Sequence, residues 1–135
     1  MVDFFFMING VHFLLYSKDP EADRAFFRDV LGFRAVDAGG GWLIFGLPPT
    51  ELGIHPGDGK FSQMHADRPL LGAVMYLMCD DLESTMRTLS DRKIQCSAIT
   101  EVRWGITTTL ALPSGGEIGL YQPKHQTAIA VPTRD

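Results

Sequence analysis

The chain has 135 residues, 45% of them apolar and 21% charged, a length and composition that suit one soluble domain with an ordinary core and leave no room for a second large one. Twelve Lys and Arg against sixteen Asp and Glu leave a net charge of −4, with the basic residues scattered, so a nucleic-acid partner is not expected. The two cysteines, Cys79 and Cys96, make no disulfide framework and match no zinc or redox spacing, which fits reduced thiols in a cytoplasmic protein.

The N-terminal run Phe4 to Ile8 is apolar but short, with no basic leader before it. It reads as an edge strand or a segment docked on another subunit, and no membrane association is expected. From Gly10, the run Val11-His12-Phe13-Leu14-Leu15-Tyr16 reads as a strand. It leads into Asp19-Pro20-Glu21, where Asp caps a helix and Pro fits its first turn. Ala22, Ala25, Phe26 and Val30 recur at helical spacing and Leu31-Gly32 supplies a stop, so the helix is expected from about Pro20 to Leu31. Two further strands fit around 33–37 and 41–47, and a last one around Glu51-Leu52-Gly53-Ile54. Residues 57–71, with Gly, Asp, Ser and Pro and little periodicity, read as a connection.

From Gly72 the pattern returns. Ala73 to Met78 is strand-like, Asp80 with Glu83 offers a capping box, and Leu82, Met86 and Leu89 follow helical spacing. Strands are expected around 95–100 and 105–112, then through Glu117-Ile118-Gly119-Leu120, with 124–135 as a tail that can fray or dock through Ile129 and Val131. Gly10 aligns with Gly72 and Asp19 with Asp81 at an offset of 62 residues, while Leu47-Pro48 aligns with Leu112-Pro113 at 65 and Glu51 with Glu117 at 66. The chain therefore reads as a diverged repeat in an α+β domain: module one over about 8–56, a linker over about 57–71 and module two over about 72–123, each strand, helix, three strands.

The stretches His12 to Asp19, Phe26-Phe27-Arg28-Asp29-Val30-Leu31-Gly32-Phe33, Trp104-Gly105 and Leu112-Pro113-Ser114-Gly115-Gly116-Glu117-Ile118 carry a resemblance to the vicinal oxygen chelate superfamily of glyoxalases, bleomycin-resistance proteins and extradiol dioxygenases, over roughly residues 8–123. The resemblance implies two tandem βαβββ modules curled into a cupped mixed sheet, with the helices outside and a ligand within. It also implies a divalent metal in active members, held by one residue on the first and one on the last strand of each module. His12 matches one such position. The others fall on Val74, Gly53 and Gly119, so no metal is expected unless His12 acts with Glu51 or Glu117 from a shifted register.

Strand alternation places His12, Leu14 and Tyr16, then Tyr76 and Met78, on the cup face. On the terminal strands it adds Glu51, Gly53 and His55 in one half and Glu117, Gly119 and Tyr121 in the other. Trp42 joins this set, and the two glycines leave space at its centre. The result is an aromatic pocket with two carboxylates, suited to a partly aromatic ligand. His55 and His65 read as exposed loop residues, Trp104 as a packing residue, and Cys79, next to two aspartates, as a poor nucleophile.

Two functions follow from these residues and the resemblance. One is a small-molecule-binding protein without the family's metal, needing no catalytic residues and paired as a homodimer as the resemblance implies. The other is a metal-dependent lyase, isomerase or dioxygenase using His12 with Glu51 or Glu117.

Overall fold

The computed structural model describes residues 11–58 and 61–130. The run Phe4 to Ile8, Gly10 and Val131 lie outside them.

Helix α1 spans Pro20–Asp29 and α2 spans Leu82–Asp91, and both begin as their sequences dictate. Asp19 caps α1 by accepting the Ala22 N–H at 3.2 Å, with Pro20 at the first turn and Glu21 and Asp23 favourably placed against the helix dipole. In α2 the cap is Asp81, which accepts the Ser84 N–H at 3.0 Å; the expected capping box of Asp80 with Glu83 is displaced by one residue, because Asp81 is the residue in extended backbone geometry. Each helix turns an apolar stripe inward: Phe26 and Phe27 from α1, Leu82 and Leu89 from α2.

Among the described residues eight strands accompany the helices: β1 (Ala35–Asp37), β2 (Leu43–Phe45), β3 (Ser62–His65), β4 (Arg68–Leu71), β5 (Tyr76–Met78), β6 (Thr100–Val102), β7 (Gly105–Ala111) and β8 (Glu117–Pro123). The second half forms a four-stranded mixed sheet in the order β5-β8-β7-β6, with β5 parallel to β8 and the other pairs antiparallel. With α2 between β5 and β6, this is a complete strand-helix-three-strand unit. One face of it carries Leu110, Ile118 and Leu120, which pack with Leu112 and the inward side chains of both helices into the core. Burying a side chain of this size is worth about 1.5–3 kcal/mol, so this cluster dominates the stability of the fold.

Asp23 ties α1 to the sheet. Its carboxylate is buried and accepts the Ser17 hydroxyl at 2.7 Å and the Ser114 N–H of the β7–β8 turn at 3.0 Å, so the buried charge is matched by donors. Arg92, after α2, adds a hydrogen bond to the Val30 carbonyl after α1 at 3.2 Å.

The first half differs from its expected pattern. After α1 it holds a single ladder, the β1–β2 hairpin, whose turn is closed by the Asp37 carboxylate accepting the Gly39 and Gly41 N–H groups. Residues 11–17 and 46–58, expected to contain its first and last strands, make no ladder among the described residues. Residues 57–71, read as a plain connection, contain the β3–β4 hairpin. An open groove is lined by Met86 and Arg87 of α2 and by Lys93 and Cys96 of the segment after it.

Candidate functional site

Pairing in the second-half sheet fixes which side chains share a face. Tyr76 lies opposite Gly119, Met78 opposite Tyr121 and Thr107 opposite Tyr121, so these residues stand on the face away from the helices. Three rings meet there edge to face: Tyr76 with Tyr121 at 5.3 Å between centroids, Trp104 with Tyr121 at 5.2 Å and Tyr76 with Trp104 at 5.8 Å. Tyr121 is buried at the base, whereas Tyr76 and Trp104 are about two-fifths exposed and present ring surface outward.

Two glycines make this packing possible. A Cβ on Gly119 would overlap the Tyr76 ring, and one on Gly105 would sit 2.6 Å from the Gln122 carbonyl and 3.2 Å from the Tyr121 ring. Gly119 was expected to leave space for a ligand; the Tyr76 ring fills that space, so the free surface lies on the outer edges of Tyr76 and Trp104. Gly53, its counterpart in the first half, meets nothing within 4 Å and is exposed.

Glu51 reaches this cluster from the first half. Its side chain is only 16% exposed. One carboxylate oxygen accepts the Tyr121 hydroxyl at 3.2 Å and the other accepts the Ala128 N–H at 2.7 Å, while His125 Nε2 stands 3.7 Å away. Burial, then the Glu51 charge and hydrogen bond, push the Tyr121 phenol above the ordinary tyrosine range. The site is thus a negative, aromatic surface: two outward rings, a buried phenol and a nearly buried carboxylate.

The remaining candidates are placed elsewhere. His12 is exposed and makes no hydrogen bond among the described residues. Leu14 is also exposed. Tyr16 turns to the β3–β4 hairpin, where its hydroxyl meets His65 Nδ1 and lies 3.4 Å from the Met64 carbonyl. Trp42 stacks under the Arg24 guanidinium, 4.6 Å from the ring centroid, and is exposed. Glu117 is exposed and accepts the Thr109 hydroxyl at 2.6 Å. Cys79 is half-buried, and burial together with the charges of Asp80 and Asp81 pushes its thiol up, away from nucleophilic use.

Trp104 and His125 are site neighbours that the sequence reading assigned to packing and to a tail. Alternation along β8 places Tyr121 inward, but only the β7–β8 register, with Gly105 opposite Pro123, brings the residue before Gly105 onto that ring.

The residues present do not fit the metal that the fold family implies. Among the described residues no group of three or more His, Cys, Asp and Glu side chains could hold an ion. Gly119 and Gly53 supply no donor atom from a side chain, and Gly119 has no room to gain one. Both Glu51 oxygens already accept hydrogen bonds.

Neither a family model nor a curated protein matches the sequence. Solved structures do. The antibiotic-binding protein TnmS3 from Streptomyces sp. CB03234 superposes with a TM-score of 0.57 at 22% identity, over 87% of this chain and 98% of that one. A member of the glyoxalase/bleomycin resistance protein/dioxygenase superfamily from Sphaerobacter thermophilus DSM 20745 gives 0.54 at 21%, over 86% and 98%. Lactoylglutathione lyase from Agrobacterium tumefaciens gives 0.52 at 20%, over 80% and 88%.

The chain has the vicinal oxygen chelate fold. At these identities the likeness establishes architecture, and architecture of this kind serves both binding and catalysis. The aromatic face described above is the face opposite the helices, and the Glu51–Tyr121 contact joins the two halves of the chain there. No helix among the described residues is long and apolar enough to cross a membrane.

Proposed function

We propose that the chain is a small-molecule-binding protein that works without the metal of its fold family and sequesters a partly aromatic ligand, with a cationic group favoured by Glu51. The observation that carries this reading is the edge-to-face cluster of Tyr76, Trp104 and Tyr121 beside a carboxylate that is 16% exposed. A planar ligand gains contact and, if positively charged, cation–π attraction from the outward rings, at about 0.5–2 kcal/mol per contact. The antibiotic-binding protein TnmS3 is one use of this fold for binding. His12, Leu14, Tyr16 and Trp42 extend the ligand surface in this proposal only if the first-half segments close over the sheet.

The metal-dependent alternative draws less support. It needs His12 beside Glu51 or Glu117, and neither carboxylate hydrogen-bonds to His12 among the described residues; each is engaged by another group.

The proposal includes pairing of two chains. Val11, Leu52, Ile54 and Val74, all on segments without a ladder, are 78–88% exposed. Apolar surface of this extent marks an interaction face, and segments 11–17 and 46–58 carry backbone groups that a partner's strands can satisfy.

The test is metal content and thermal stability of the purified chain. The expected result is no stoichiometric ion, a melting temperature unchanged by a chelator or by added Ni, Zn or Mn, and a rise with planar cationic dyes. A stoichiometric ion, or a melting temperature lowered by chelation, overturns the reading.

A further inference from the structure

The Glu51 carboxylate is occupied by the chain itself. Beyond β8 the backbone is anchored by the Lys124 N–H on the Trp104 carbonyl at 2.8 Å and by the Lys124 ammonium on Glu101. From that root it crosses the aromatic face. The His125 ring lies 6.4 Å from the Tyr121 ring, tilted by 33°, with Nε2 3.7 Å from Glu51, and the Ala128 N–H then closes on the second Glu51 oxygen at 2.7 Å. The segment ends in a 3-10 turn over Ala128–Ala130, with Ile129 partly exposed. Residues 125–128 therefore form a strap with a fixed root in the second half and a tip held by one residue of the first.

We infer that this strap is a built-in competitor for the site: residues 125–128 hold Glu51 in the ligand-free chain, and a cationic ligand binds by displacing them. The inference rests on the binding function proposed above. A carboxylate this far from solvent needs donors, and in the free chain the strap and Tyr121 supply them. A ligand cation replaces the strap's partners, the Ala128 N–H and the His125 ring, while the Tyr121 hydroxyl, fixed by its packing against Tyr76 and Trp104, stays. The site then discriminates: a neutral planar molecule gains the rings but cannot compensate Glu51 for the lost strap, whereas a planar cation can. The competitor lowers apparent affinity for every ligand, and least for those with a positive charge.

The decisive variant is Ala128→Pro in the full chain, which deletes the donating N–H at the first residue of a 3-10 turn, a position that tolerates proline. Ethidium, a planar aromatic cation, is the probe. Affinity is read from tryptophan quenching, and strap release from deuterium exchange of the amides in residues 125–130. The expected result is that Ala128→Pro binds ethidium about tenfold more tightly than the parent, the net worth of one hydrogen bond to a charged group, and that ethidium speeds exchange in 125–130 of the parent. Equal affinities, with unchanged exchange on ethidium binding, overturn the strap and leave the binding function standing. Ethidium binding by neither chain defeats the binding function and the strap with it.

Discussion

Tyr121 is the residue on which the site's chemistry converges, because its ring packs against Tyr76 and Trp104 while its hydroxyl donates to Glu51. Burial first, and then the Glu51 charge, raise its phenol above the usual value. A proton held more tightly in the folded state gives stability that is complete below the unfolded tyrosine value, about pH 10, and is lost as pH rises through the folded one. Denaturant unfolding followed upward from neutral pH is expected to show this alkaline loss, and Tyr121→Phe to flatten it. An identical alkaline decline in the two chains contradicts the assignment. The alternation of apolar residues along two strands was enough to place Tyr76, Gly119 and Tyr121 on one face. It could not place Trp104, whose approach depends on the register of β7 against β8, or His125, whose position depends on a long-range contact between Glu51 and the Ala128 N–H.

At the level of elements, what was legible had a local cause. Both helices carry their start in a capping Asp and their inner face in a 3.6-residue repeat, and in β8 Ile118 and Leu120 face the core while Gly119 and Tyr121 face the Tyr76 ring on the other side. The β3–β4 hairpin was not legible, since its two-residue turn uses Ala66 and Asp67 at φ of 50° and 63°, in place of the Asn-Gly signature that such a turn favours. The first-half strands were missed in the other direction: Val11 to Tyr16 and Leu52 to Ile54 have the composition of strands, but composition does not provide a neighbour, and a ladder needs one. Packing within the second sheet yields its own prediction. Gly119→Ala drives a methyl group into the Tyr76 ring and is expected to cost about 1–3 kcal/mol of stability, most of it recovered when Tyr76 is also changed to Ala. Denaturant melts of the two single variants and the double variant measure this coupling; strict additivity contradicts the close contact.

Seen whole, the molecule has one finished half and one open half. The second-half sheet carries the core with both helices, the first half presents unladdered segments with Leu52 and Ile54 highly exposed, and Val74, just ahead of β5, is exposed as well. The pairing of two chains proposed above would cover that surface. Sedimentation is expected to give a species of twice 14.9 kDa, shifted toward the single chain by Ile54→Glu with Val74→Glu. A parent chain that sediments as a monomer at all accessible concentrations contradicts the pairing. The fold joins these halves at Glu51, whose carboxylate accepts the Tyr121 hydroxyl at the aromatic cluster. The most direct test of the binding function removes the Tyr76 ring, one of the two that present surface outward. Ethidium titrated into Tyr76→Ala and the parent, followed by tryptophan fluorescence, is predicted to show at least about a tenfold loss of affinity in the variant, the cost of removing a stacking aromatic contact. Equal affinity in the two chains would contradict the assignment of this face as the binding site.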